Sequence, residues 1–216
     1  MLWSVLITAR NMVLCVVCVF VSLAVGQTQN IRHIDFKNLS YKWIRPYGSP
    51  EKLEWLPITE SADVRLVNGQ WREMPESTDD SPPRFSGLTL ESVQFGYVTG
   101  TGAEDAVVIL RYDSGGTRFW EYVYVYAIQG GRLVLLSYFH AGDRAQLGLY
   151  RAYAKGGVLV TELFDPQKRM GDCCSSGFVR TRYRWRQGKF EEVGRVELGT
   201  PTAPSRLPVS TFGIHP

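Results

Sequence analysis

Arg118-Phe119-Trp120-Glu121-Tyr122-Val123-Tyr124-Val125-Tyr126-Ala127-Ile128, then Gln129-Gly130-Gly131, then Arg132-Leu133-Val134-Leu135-Leu136-Ser137-Tyr138-Phe139, is the stretch that decides the fold class. Large and β-branched residues alternate strictly along its first half. Successive side chains of a strand point to opposite faces, so Trp120, Tyr122, Tyr124 and Tyr126 share one face and Phe119, Val123, Val125 and Ala127 the other. Gly130-Gly131 is a two-residue turn, because glycine alone takes positive φ without a Cβ clash. The stretch therefore reads as a β-hairpin with strands near 118–128 and 132–139.

The same device recurs outward from this hairpin. Asn68-Gly69, Gly156-Gly157 and Gln187-Gly188 each separate two alternating runs, and Asp113-Ser114-Gly115-Gly116 forms a longer turn. Further strands are expected near 89–97, 105–112, 147–154, 158–164, 178–186 and 189–195, with shorter ones around 39–45, 53–58, 63–67 and 70–74. The expected fold is mainly β: a single antiparallel β-meander domain over 27–198, arranged as an open sheet, barrel or propeller-like sheet. Residues 74–86, with Glu76, Asp79, Asp80, Pro82 and Pro83, read as a polar loop joining the N-terminal strands to the meander. Residues 199–216, with Pro201, Pro204, Pro208 and Pro216, read as a tail.

Composition agrees with one globular domain. The chain has 216 residues, 44% apolar and 21% charged, and its 21 Gly and 11 Pro stay below the roughly one-quarter share of low-complexity chains. The formal charge of +3 is too near neutrality for the footprint of a nucleic-acid or anionic-membrane binder.

Residues 1–26 are of another kind. Arg10 is their one charge, and the apolar run from Met12 to Val25 ends in Ala24-Val25-Gly26, small at the positions a signal peptidase reads. This is the pattern of a secretory signal peptide cleaved before Gln27. An uncleaved anchor is the other reading, but the run is shorter than the roughly 20 residues a helix needs to span a bilayer. The expectation is an exported protein, periplasmic or extracellular, with no stable membrane span after cleavage.

Cleavage removes Cys15 and Cys18 and leaves the adjacent pair Cys173-Cys174. In an oxidising compartment the pair is expected as a disulfide that clamps one turn; neighbours in sequence close almost no loop, so it is no staple. As thiols, either cysteine with His140 and Asp143 would make a nucleophilic set of Cys, His and acid. One neighbouring pair cannot supply a four-ligand metal site, and His33, His140 and His215 show no ligand spacing, so neither a metal nor another cofactor is expected.

Two surfaces are candidates for binding. Arg180, Arg182, Arg184 and Arg186 alternate with Val179, Thr181, Tyr183 and Trp185, which puts four guanidiniums on one face. With Gln187-Gly188 as the turn, Trp185 faces Phe190 and Arg184 faces Glu191, while Arg180 and Arg182 find no acid on that neighbour; Arg151 faces Glu162 across the Gly156-Gly157 turn. Such a face is either an ordinary charged sheet surface or an anion site for an envelope polymer or a protein with anionic groups. The row Trp120, Tyr122 and Tyr124 is either core or, if open, a stacking groove for a ligand.

Tyr97-Val98-Thr99-Gly100-Thr101-Gly102-Ala103-Glu104-Asp105-Ala106, read with Cys173-Cys174-Ser175-Ser176 and the strand Arg182-Tyr183-Arg184-Trp185, resembles exported bacterial proteins of acidobacterial type. These carry a D-x-T-G-D-G-like turn and a later C-C-x-S segment. The second half is also similar to the LppP/LprE-type lipoprotein domain. The resemblance implies a shared fold over most of the mature chain and carries no activity. In the group, acids at the first and fifth motif positions suit Ca²⁺; here Tyr97 and Thr101 stand there, so the turn is expected to persist without the metal, with Glu104 and Asp105 capping it. The function expected is that of an exported, non-enzymatic binding or structural protein of the bacterial envelope or exterior; the alternative is a thiol-dependent hydrolase or redox enzyme.

Overall fold

The computed structural model describes residues 30–46, 53–73, 85–171 and 173–199. The expected signal segment 1–26, most of the 74–86 loop and the tail beyond residue 199 lie outside the described residues.

Among the described residues, eleven strands follow two N-terminal 3₁₀ turns, Ile31–His33 and Phe36–Asn38. They are β1 (Ser40–Trp43), β2 (Ala62–Arg65), β3 (Gln70–Glu73), β4 (Ser86–Gly96), β5 (Asp105–Asp113), β6 (Phe119–Gln129), β7 (Arg132–His140), β8 (Leu149–Lys155), β9 (Val158–Phe164), β10 (Phe178–Arg186) and β11 (Lys189–Leu198). Every strand pairing is antiparallel. The fold is all-β and meandering, as the sequence pattern leads one to expect. The turn pairs carry it: Gly130 and Gly131 take φ of 56° and 75°, Gly156 and Gly157 61° and 74°, and Asn68-Gly69 and Gln187-Gly188 do likewise.

The meander runs in two lengths. Strands β3 to β7 form a five-stranded sheet in chain order, and β8 to β11 a four-stranded one; β1 and β2 pair by themselves. The chain changes sheets at 141–148. There Arg144 and Leu147 hold positive φ and the amide of Gly148 donates to the Arg144 carbonyl at 2.9 Å. A Cβ at Gly142 or Gly148 would collide with the backbone of Gln146 or Arg144, so this crossover closes only around glycine.

Two cores result, one on each face of the five-stranded sheet. On one face Val107, Ile109, Val123, Val125 and Phe139 pack against Ala152, Leu159, Tyr183 and Phe190 of the four-stranded sheet. On the other, Leu110, Tyr112, Tyr122, Tyr124 and Tyr126 are covered by Ile31, Phe36, Tyr41, Trp43 and Leu66 of the N-terminal segment. β5 and β6 are thus buried on both sides, and their runs of apolar residues are those of central strands. Fully buried, each of Val107, Val123 and Val125 contributes about 1.5–3 kcal/mol.

The expected strand at 53–58 does not form. Trp55 makes a single bridge to Phe139, the amide of Leu56 donates to the Tyr138 carbonyl at 2.9 Å, and Pro57 then has no N–H to continue the ladder. The segment instead seals the edge at β7: Leu53 and Trp55 join one core, Leu56 and Ile58 the other. The Trp55 ring stacks on Phe190 at 4.9 Å and meets Phe139 and Tyr183 edge-on.

Candidate functional site

The outer face of the four-stranded sheet is built in rows across the strands. One row is Arg151, Glu162, Arg180 and Val196; the next is Tyr153, Val160, Arg182 and Gly194. β-bulges at Tyr150 in β8 and Val193 in β11 set these registers.

Glu162 is the centre of the first row. Its side chain is fully buried beneath its neighbours, ion-paired with Arg151, accepting from Arg180 Nε at 2.6 Å and from the Tyr153 hydroxyl at 3.3 Å. Burial pushes its carboxyl up, but the two guanidiniums outweigh burial and hold it below the ordinary carboxylate range. The sequence pairing of Arg151 with Glu162 is observed. Arg180 is also paired, through the strand on its other side, because a central strand has two neighbours and the Gln187-Gly188 turn specifies only one of them.

Arg182 and Arg184 are exposed on the same face, and Arg186 beyond them. Among the described residues none of the three has an ion-pair partner. Arg184 stands opposite Glu191 in register, as expected, yet Glu191 binds Lys189 at 3.2 Å instead. Val160, between Tyr153 and Arg182 in their row, is 2% exposed.

The aromatic row is not an open groove. Trp120, Tyr122 and Tyr124 are at most 5% exposed because β1 crosses over them. Tyr122 donates to the Ile44 carbonyl at 2.6 Å and Tyr124 to the Lys42 carbonyl at 2.8 Å, and Tyr124 stacks on Tyr138 at 5.1 Å. Burial raises both phenols, so they serve as neutral donors that fasten the cover.

Cys173 and Cys174 are joined by a disulfide and exposed in the link between β9 and β10. The link is fastened around them: the Met170 amide donates to the Cys174 carbonyl at 2.8 Å, and the buried Ser175 hydroxyl to the Asp165 carbonyl at 2.7 Å. His140 is elsewhere. It lies opposite Tyr122 in register, so its ring is on the face of the five-stranded sheet turned away from β9 and β10, with Nδ1 3.1 Å from the Ala141 carbonyl. Burial lowers its pKa, against the Ala141 carbonyl and Glu54, which raise it. Asp143 accepts from the Phe119 amide and from Arg144 Nε, each at 3.3 Å. His140 is thus on the far face of the five-stranded sheet from β9 and β10, and Asp143 is engaged within the 141–148 crossover.

The turn before β5 is closed by protein groups. Asp105 is buried and accepts from the Val98 and Thr99 amides at 2.7 and 2.8 Å and from the Thr99 hydroxyl; Glu104 pairs with Arg32 at 2.6 Å.

Glu121 is a partly buried acid that the strand pattern alone does not mark as a site. It occupies the inner face of β6 beside Val123, opposite Arg111, with Oε2 buried and unpartnered among the described residues. An acid in phase with the apolar positions of that strand was its signal. Gly194 was missed as well, since its meaning depends on the β11 bulge.

No protein-family model matches the chain, and comparison with curated proteins and with solved structures likewise finds no match.

Proposed function

We propose that this chain is an exported, non-enzymatic binding or structural protein of the bacterial envelope or exterior, and that the outer face of its four-stranded sheet holds a partner with anionic groups. One observation carries the reading. Arg182, Arg184 and Arg186 stand exposed in a line, without carboxylate partners among the described residues, while Arg151 and Arg180 beside them are held in place by a buried Glu162. Unpaired guanidiniums on a rigid sheet attract anions and offer forked donors to carboxylate or phosphate oxygens.

The test is retention on anionic polymers. Wild-type protein is expected to bind an immobilised polyanion at low ionic strength and to release at about 0.5 M salt, where the screening length falls to a few ångströms. Arg182→Glu with Arg184→Glu and Arg186→Glu should abolish retention while leaving the melting temperature within a few degrees. Equal retention of that triple variant would exclude the face.

The alternative of a thiol-dependent enzyme requires a free, low-pKa thiolate. The disulfide, and the engagement of His140 and Asp143 away from it, favour the binding reading. Intact mass after alkylation without reductant reads this directly, and in the same spectrum reports whether the exported chain starts at Gln27.

A further inference from the structure

The second row of the same face has the form of a subsite. Arg182 is flanked across the sheet by Val160 on β9 and Gly194 on β11, so neither neighbour offers its guanidinium an acceptor. Along its own strand stand Arg180, already bound to Glu162, and Arg184. A Cβ placed on Gly194 would meet nothing within 4 Å, and Gly194 is not among the glycines of positive φ. The glycine is thus not demanded by the backbone or by packing; it leaves an open notch beside the arginine. The bulge at Val193 sits next to it, where an extra residue re-aims the strand.

The other wall of the row is aromatic. Tyr153 is half-buried, with its hydroxyl 3.3 Å from Glu162 and the Arg151 guanidinium 5.3 Å from its ring centre. It is held in place before any ligand arrives, and it stands in the same cross-strand row as Arg182, with the buried Val160 between them. An anchored aromatic ring in the same row as an open guanidinium fork, one strand away from it, suits a sugar ring that carries a carboxylate.

We infer that Tyr153, Arg182 and the notch at Gly194 form a carboxylate-binding subsite for an acidic glycan of hexuronate type. This rests on the anion-binding reading above and specifies its partner.

Polygalacturonate is the probe, with its methyl-esterified form and polyglutamate beside it, titrated into the whole exported protein at about 50 mM salt. Wild-type protein should bind polygalacturonate and not the ester. Arg182→Ala should weaken binding about ten-fold or more, as expected for a lost bidentate charged pair, and Arg182→Lys by less. Gly194→Glu should weaken it as much, because it supplies an intramolecular carboxylate to Arg182 while every arginine remains. Arg65→Glu, in the layer on the far side of the molecule, should change nothing. Wild-type binding that survives both Arg182→Ala and Gly194→Glu overturns the subsite and leaves the anion-binding reading standing. Polyglutamate bound as tightly as polygalacturonate overturns the glycan and makes the partner an acidic protein. Failure of the wild-type protein to bind any of the polyanions overturns the subsite and the reading beneath it.

Discussion

Glu121→Gln removes a carboxyl that the fold holds protonated. In the native chain burial drives its pKa from the ordinary 4.5 up to about 7, against the pull of Arg111 and the Leu149 amide and with Glu91 adding to the rise. A folded-state pKa above the unfolded one means that the native chain holds this proton more tightly. The resulting stability is fully present below about pH 4.5 and is lost as pH rises through about 7. Two and a half decades of proton affinity, at about 1.4 kcal/mol per decade, come to about 3 kcal/mol. Glutamine does not titrate, so its constant cost cancels when the variant is compared with wild type at two pH values. Urea unfolding at pH 4.5 and 8 should show the difference, variant minus wild type, growing by about 3 kcal/mol in favour of the variant. In a domain of this size that is a relative rise in Tm of about 6–12 °C. A difference that stays within about 0.5 kcal/mol over this range would refute the claim that the carboxyl is protonated in the folded protein near neutrality.

Glu162 behaves with the opposite sign: its native pKa is depressed, so its contribution is present above the unfolded value and is lost as pH falls through the folded one, and Glu162→Gln should cost about 1–3 kcal/mol at pH 7 but little in acid. That cost stays below the figure for a wholly buried pair because Arg151 and Arg180 reach water when released. Tyr122→Phe with Tyr124→Phe removes the two hydroxyl bonds to β1 and its flank and should cost about 2–3 kcal/mol together, with hydrogen exchange quickening first in residues 40–45. Cys173→Ser with Cys174→Ser should shift unfolding by about 1 kcal/mol or less, since the bond closes the smallest possible loop; a loss above about 3 kcal/mol would show that it supports the whole β9–β10 link.

The sequence by itself determined the local grammar. Turn pairs such as Gly130-Gly131 and Asn68-Gly69 need positive φ at both central residues, and alternating runs beside them can only be strands, so hairpins are settled within a dozen residues of chain. The registers that bring Trp185 to Phe190 and Arg151 to Glu162 follow from turn length alone. What lies across a strand's second edge or above its face does not. Whether Tyr122 and Tyr124 stand open or covered was decided by β1, some 80 residues away in sequence, and Arg180 found Glu162 only because β9 and β11 flank β10 on both sides. His140, on β7 of one sheet, was separated from Cys173 and Cys174, in the link between strands of the other, by a change of sheet at Gly142 and Gly148, a backbone event that periodicity does not register. Trp55 was pulled out of a strand and into the gap between sheets, because the burial of one indole against Phe139, Tyr183 and Phe190 outweighs a short ladder that Pro57 interrupts. Hydrogen-bonded turns are local and can be read locally; the pairing of faces is decided by non-local burial, and the candidate site is made of faces.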